Sequence, residues 1–390
     1  MVSSVEMKPI LEESIRKLEK WVEEHNYKGY EPFDGLSSFL KPFTFGNLFL
    51  ERLLQQVIRQ NPVNLRPLLG VKPQESTKGR GYMAWGYLNM YNLTRDNTYK
   101  DKAFLCLDWL DRNKAPGYVY HSWGNHFHYA SRGGRVAKYE PTIVWTGLIG
   151  QVFLDAYDLF RKDEHLDIIR SISNWILQLP REKTSKGICL SYVSFEQDSI
   201  HNSNMHGAAF LAKAARYGQN NSSLEVARRA MEYSCSQQRP DASWYYGEDP
   251  KHHWIDNFHT GYNLDSLKRY IDTTGDRQFE ETMMRGYKFF KEHFFDGTGK
   301  PKYYYNKTYP IDIQCASQSI DTLTFFSDHD QEALALACKV ANWTIDNMQD
   351  RDGHFYYRIY PFGIKSKASM IHWGQATTYK ALTSLLLRLN

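Results

Sequence analysis

One order of segments recurs along this 390-residue chain, and that repeat limits the possible folds more than any single motif does. Each of five units opens on a polar loop, runs through a helical pattern ending in aromatics, crosses a long aromatic loop and closes with a second helical pattern. The opening loops carry Asp96, Asp163, Asn220, Asp276 and Asp328, at spacings of 67, 57, 56 and 52 residues. Apolar residues at helical spacing predict the first helices over 103–110, 166–179, 224–235, 279–290 and 333–348. The second helices are expected near 142–160, 204–217, 259–271, 314–326 and 369–387. They are richer in Gly, Ala and apolar residues, which predicts fuller burial.

The Gly- or Pro-marked loops between them, at 117–120, 187–190, 243–246, 302–305 and 353–357, are expected to form short β-ribbons. Helices near 9–24 and 81–91 supply a sixth pair, with an additional helix at 47–59. Six hairpins can close into a ring of two concentric layers, and closure removes the ends that an open solenoid must cap. The expected fold is all-α, a single (α/α)6 toroid domain over residues 1–390 with short β-ribbons in the long loops on one face.

Composition agrees with a large folded core: 42% of residues are apolar and 24% charged. The 48 basic and 44 acidic residues are interspersed, so the net charge of +4 does not favour a nucleic-acid partner. Mean hydropathy is −0.59 and apolar runs are short, so no transmembrane helix is expected. The first fifteen residues read as a charged amphipathic helix without the apolar region of a secretory signal. If the chain starts at its natural Met1, it is expected to stay in the cytoplasm. The five cysteines include no C-x-x-C pair and read as buried reduced thiols.

In such a ring the long loops enter the second helices at one common mouth, and function is expected there. Reading only those entries gives Arg80, Tyr82, Glu140, His206, Trp254, Asp256, His259, His372, Trp373 and Gln375, with Trp85, Tyr245 and Tyr246 close by. Asp256 or Asn257 is either the helix N-cap or a catalytic group. Glu140 precedes Pro141, which fits a first helical position and a carboxylate favoured by the helix dipole. His206, in a run of small residues, is either a satisfied core histidine or a catalytic one. A metal site from His253, Asp256 and His259 is disfavoured, since i, i+3, i+6 spacing walks off one helix face, and no metal or cofactor is expected.

The aromatic residues near the mouth read singly as packing. Together, interleaved with carboxylates, amides and imidazoles, they suit sugar rings, whose faces are apolar and whose edges carry hydroxyls. Converging helix N-termini, with Arg80 and Arg132 or Arg135, favour an acidic sugar. There is no P-loop, no G-x-S-x-G and no dinucleotide-binding pattern.

Gly81-Tyr82-Met83-Ala84-Trp85-Gly86, Trp254-Ile255-Asp256-Asn257 and His372-Trp373-Gly374-Gln375-Ala376 carry a resemblance to the six-hairpin glycosidase superfamily, especially its unsaturated glucuronyl hydrolases, and to related toroids of surface-polysaccharide clusters. The resemblance implies Asp256 as general acid/base in hydrolysis or hydration of a uronic-acid-containing glycan, with Glu140 as its carboxylate partner. Related toroids also include C5-epimerases and polysaccharide lyases, whose proton abstraction His206, His259, Tyr245 and Tyr246 would serve. A third expectation is a toroid that binds a glycan or lipid-linked glycan without turnover. Terpenoid cyclases share the α-toroid, but their aspartate motifs are missing here.

Overall fold

The computed structural model describes residues 4–390 except 198, 219 and 220. Asn220, which opens the third unit of the repeat, and the first three residues therefore lie outside the described residues. Its helices are α1 (Ser4–Glu24), α2 (Leu48–Gln60), α3 (Thr77–Thr94), α4 (Asn97–Arg112), α5 (Ile143–Phe160), α6 (Asp163–Gln178), α7 (His201–Gly218), α8 (Asn221–Ser236), α9 (Asn257–Thr274), α10 (Glu280–His293), α11 (Ile313–Phe325), α12 (Ala333–Met348) and α13 (Thr377–Leu389). All the helices expected from the hydrophobic spacing are present.

The repeat has a local physical basis. α3, α5 and α9 end on Arg95, Arg161 and Gly275, each with a positive φ that turns the chain out of the helix. After α3 and α9 an aspartate then stops the turn, Asp96 Oδ1 accepting from Thr98 N at 2.9 Å and Asp276 Oδ1 from Gln278 N at 3.2 Å. At the other end, Ser76, Thr142, Asp256 and Asp312 cap α3, α5, α9 and α11 with side-chain oxygens. Helices thus alternate along the chain between an amphipathic kind, such as α6, and a kind buried nearly all round, such as α7.

The chain divides into two compact units. The first comprises Met1–Trp109, Asn125–Tyr139 and Phe295–Asn390. There α13 packs between α3 and α11, and α1 and α12 lie against it. α13 is entered through a π-helical turn, Ile371–Ala376, a geometry that often marks functional positions. Strands Ile311–Asp312, Arg358–Ile359 and Lys365–Ser366 form a small antiparallel sheet with Ile311 opposite Ile359.

The second unit comprises Leu110–Gly124 and Glu140–Phe294. There α7 packs between α5 and α9, with α6 and α8 against α7 and α10 against α9. The close approach of α5 and α7 depends on Gly150, where a Cβ would lie 2.5 Å from the Phe210 ring. α5 is long and apolar enough to cross a membrane, but 72% of that window is buried in this unit, so it is a core helix.

Short β-ribbons are present as expected: 187–190 pairs with Arg181–Thr184 and Tyr129–Ser131 with Gly134–Val136, while the loops at 302–305 and 353–357 make single antiparallel bridges, Tyr304 to Lys307 and Phe355 to Gln349. At 243–246 the rings pack instead, Trp244 donating from Nε1 to Ser234 O at 2.9 Å. One expectation needs correcting. Pro141 is not the first residue of α5. Thr142 takes the cap, its hydroxyl accepting from Trp145 N, which leaves Glu140 two residues before the cap.

The five cysteines are reduced thiols, four of them buried.

Candidate active-site residues

At the start of α9, the buried Asp256 is bonded on both oxygens. Oδ1 accepts the backbone N–H of His259 at 2.9 Å, the N-cap bond. Oδ2 accepts Nδ1 of His259 at 2.7 Å and the Trp254 indole N–H at 3.0 Å. A carboxylate can only accept, so the imidazole proton sits on Nδ1 and Nε2 is left as a base. Asp256 is 2% exposed, whereas the His259 side chain keeps 20% of its surface.

Aromatic rings surround this pair. Tyr246 stacks on Trp254 with centroids 4.6 Å apart and lies 4.4 Å from the His259 ring, and all three are half-buried. Tyr245 is drawn elsewhere, stacked on His253 at 4.1 Å beneath the Arg239 guanidinium. His206, on α7, is buried, with Nδ1 2.9 Å from the Ser266 hydroxyl of α9 and its ring against Tyr262. Glu140 is half-buried, and its Oε1 accepts from Tyr118 at 2.7 Å and Ser194 at 3.0 Å.

A second polar cluster lies in the first unit. His372, in the π-helical turn, pairs through Nδ1 with the buried Glu31. Burial pushes the His372 imidazole below its usual range against the pull of Glu31. On Glu31 burial works upward, but His372 and His126 outweigh it and its carboxyl is held low. Burial pushes the Lys78 ammonium down to about 7 and the His126 imidazole down to about 4, opposed in both by Glu31. Nearby in sequence, Trp373 donates from Nε1 to Asp312 Oδ1 at 2.8 Å, and the Arg358 guanidinium donates to Asp312 Oδ2 at 2.6 Å. Asp312 thus caps α11 and holds an indole, as Asp256 does for α9.

The other expected residues are committed within the first unit. Arg80 donates from Nε to Glu75 at 3.0 Å and lies over the Tyr27 ring, a lateral lock that takes up the charge expected for an acidic sugar. Tyr82 and Trp85 are buried and near-parallel, with Lys380 over Trp85. Gln375 accepts from Phe355 N at 2.8 Å and donates to Phe355 O at 2.9 Å, bracing the loop before the π-helical turn.

Sequence reasoning did not find Glu31, Lys78, Asp312 or Arg358. Asp312 had a signal, since it precedes a buried helix in the repeat position that Asp256 occupies. Among the described residues no group of three or more His, Cys, Asp or Glu is placed to hold a metal ion.

Alternating helices capped in this way define the fold class: the chain is an (α/α)6-toroid protein. Solved structures that share the fold include a cellobiose 2-epimerase from Bacillus thermoamylovorans, at 11% identity and a TM-score of 0.61 over 80% of this chain and 87% of that one. An alpha-mannanase from Bacteroides thetaiotaomicron aligns at 12% identity and a TM-score of 0.61, over 80% and 86% of the two chains. An unsaturated glucuronyl hydrolase specific for heparin aligns at 12% and 0.59, over 79% and 85%. The resemblance to six-hairpin glycosidases therefore holds at the level of fold. The sequence matches no known family pattern and no curated protein.

Proposed function

We propose that this protein is a carbohydrate-active enzyme that transfers a proton at carbon, with His259 as the base and Asp256 as the residue that positions it. The observation carrying this reading is the 2.7 Å bond from Nδ1 of the imidazole, whose side chain keeps 20% of its surface, to a carboxylate that is itself buried. His259 Nε2 would take a proton from a carbon beside a carbonyl or carboxyl group, the electron pair moving into an enediolate. Return of a proton to the opposite face gives an epimer. A uronate offers such a carbon at C5, beside its carboxylate, and an aldose at C2 once the ring has opened to the C1 aldehyde. The half-buried faces of Tyr246 and Trp254 beside the imidazole suit the apolar face of a sugar ring. Support also comes from the cellobiose 2-epimerase among the proteins that share the fold.

Hydrolysis or hydration of a uronate glycan is the second reading. Glu140 favours it, because only its Oε1 is engaged among the described residues. In that reading Glu140 meets the substrate, while Asp256, bonded on both oxygens, acts through His259.

Incubating the protein in D2O with cellobiose and with uronate oligosaccharides, followed by proton NMR and chromatography, separates the two. Deuterium at C2 or C5, lost in His259→Asn, is the expected outcome. New reducing ends without exchange would assign hydrolysis. Binding without turnover of any sugar in the panel would overturn both and leave a glycan-binding toroid.

A further inference from the structure

Helix α2 is folded with its polarity inverted. Glu51, Gln55 and Ile58, spaced for one face, are buried, with Gln55 paired to Ala130 through bonds of 3.0 and 3.1 Å and Glu51 paired to Arg135 at 2.5 Å. The opposite face, Phe49, Leu53 and Val57 at i, i+4 and i+8, is exposed. The preceding turn adds Phe43 and Phe45, 68% and 85% exposed. A soluble surface seldom shows so many large apolar side chains together.

The charges of this segment have one sign. Residues 35–73 contain a single acidic residue, the buried Glu51, and residues 125–139 contain none. Lys41, Arg52, Lys72 and Lys138 stand on these segments. The two segments are one surface: Gln55 clasps the 129–136 hairpin, and both Lys41 and Lys138 act on His128.

We propose that this face docks on an anionic lipid bilayer, with Phe43, Phe45, Phe49 and Leu53 entering the headgroup region and the lysines and arginine meeting lipid phosphates. Charge decides the occupant. In a symmetric dimer each patch meets its own copy, which would set these cations against one another with no exposed carboxylate in either segment to pair them. An anionic membrane offers an apolar layer under negative charge, matching both features. This proposal does not rest on the sugar chemistry proposed above.

The test is flotation of the full chain with phosphatidylglycerol–phosphatidylcholine vesicles and with pure phosphatidylcholine vesicles, beside sedimentation of the protein alone. Binding to the anionic vesicles that weakens with salt is expected, and about tenfold or more weaker binding in Phe45→Ser/Phe49→Ser and in Lys41→Glu/Arg52→Glu. Phe362→Ser, which removes a still more exposed ring elsewhere, should bind like the parent. Because the charge-reversal positions are not buried, that variant keeps the test valid if the double serine variant fails to fold. No vesicle binding, equal binding by both patch variants, or a lipid-free dimer that the same substitutions disperse would overturn the proposal.

Discussion

Asp256 and His259 are joined twice, through the cap bond to the backbone N–H at 2.9 Å and through the bond to Nδ1 at 2.7 Å. One carboxylate therefore starts helix α9 and fixes the tautomer and direction of the imidazole one turn in. Stability and chemistry can be separated here by choosing the substitution.

Asp256→Asn keeps an oxygen for the cap but presents an amide donor to His259 Nδ1 and the Trp254 indole. The proton should move to Nε2, removing the base. We expect kcat to fall by about 10³–10⁴-fold, as when an orienting carboxylate is lost from a triad. Stability should fall by only about 1–2 kcal/mol, read by urea denaturation, and Asp256→Ala should cost about 1 kcal/mol more through loss of the cap.

Lys78 makes stability depend on pH. Its ammonium is pushed down to about 7 by burial, with Glu31 opposing, so between about pH 7 and the ordinary lysine value near 10.4 the unfolded chain binds the extra proton. Stability should therefore rise with pH across that window. Lys78→Met should flatten the rise and be more stable than the parent at pH 7, with the difference closing toward pH 10. Urea midpoints measured from pH 6.5 to 10 check this.

Arg66 and Asp34 form an ion pair at 2.7 Å with both side chains buried, and Arg66 also donates to Glu31 O at 2.9 Å. Arg66→Met alone leaves a buried carboxylate unpaired and should cost about 3–5 kcal/mol. Asp34→Leu/Arg66→Met should cost less than the two single substitutions added together, by at least about 1 kcal/mol. Chemical denaturation of the three variants measures the coupling.

Gly286 lies in α10, where a Cβ would meet the Trp244 ring at 2.5 and 2.8 Å. Trp244 is buried and anchored by its indole, so it has little room to retreat. Gly286→Ala should lose about 1–3 kcal/mol despite the better helix propensity of alanine. Gly218→Ala, at the end of α7 with open space around it, should gain up to about 1 kcal/mol. Paired melting curves decide whether packing or propensity wins.

Much of the architecture is written in local pattern. Helical spacing placed every expected helix, because amphipathic and fully buried helices differ in composition over a dozen residues. Asp256 was legible as a cap for the same reason: capping involves only the next three residues. Tyr82 and Trp85 lie inside α3 and Gln375 in the π-helical turn before α13, and whether each faces a ligand or packs depends on distant neighbours. Phe355, for example, occupies both ends of the Gln375 amide.

The sequence by itself determined the repeat, the helices and the residues that enter the buried ones. Only the tertiary structure decided which charges meet. Glu31 and His372 are 341 residues apart, and Asp312 finds its indole 61 and its guanidinium 46 residues away. It also turned Phe49, Leu53 and Val57 of α2 outward, because Gln55 and Glu51 gain buried partners in the 129–136 hairpin that no local pattern announces. A buried polar group is tolerable only where a partner waits, and that partner is set by the fold of the whole unit.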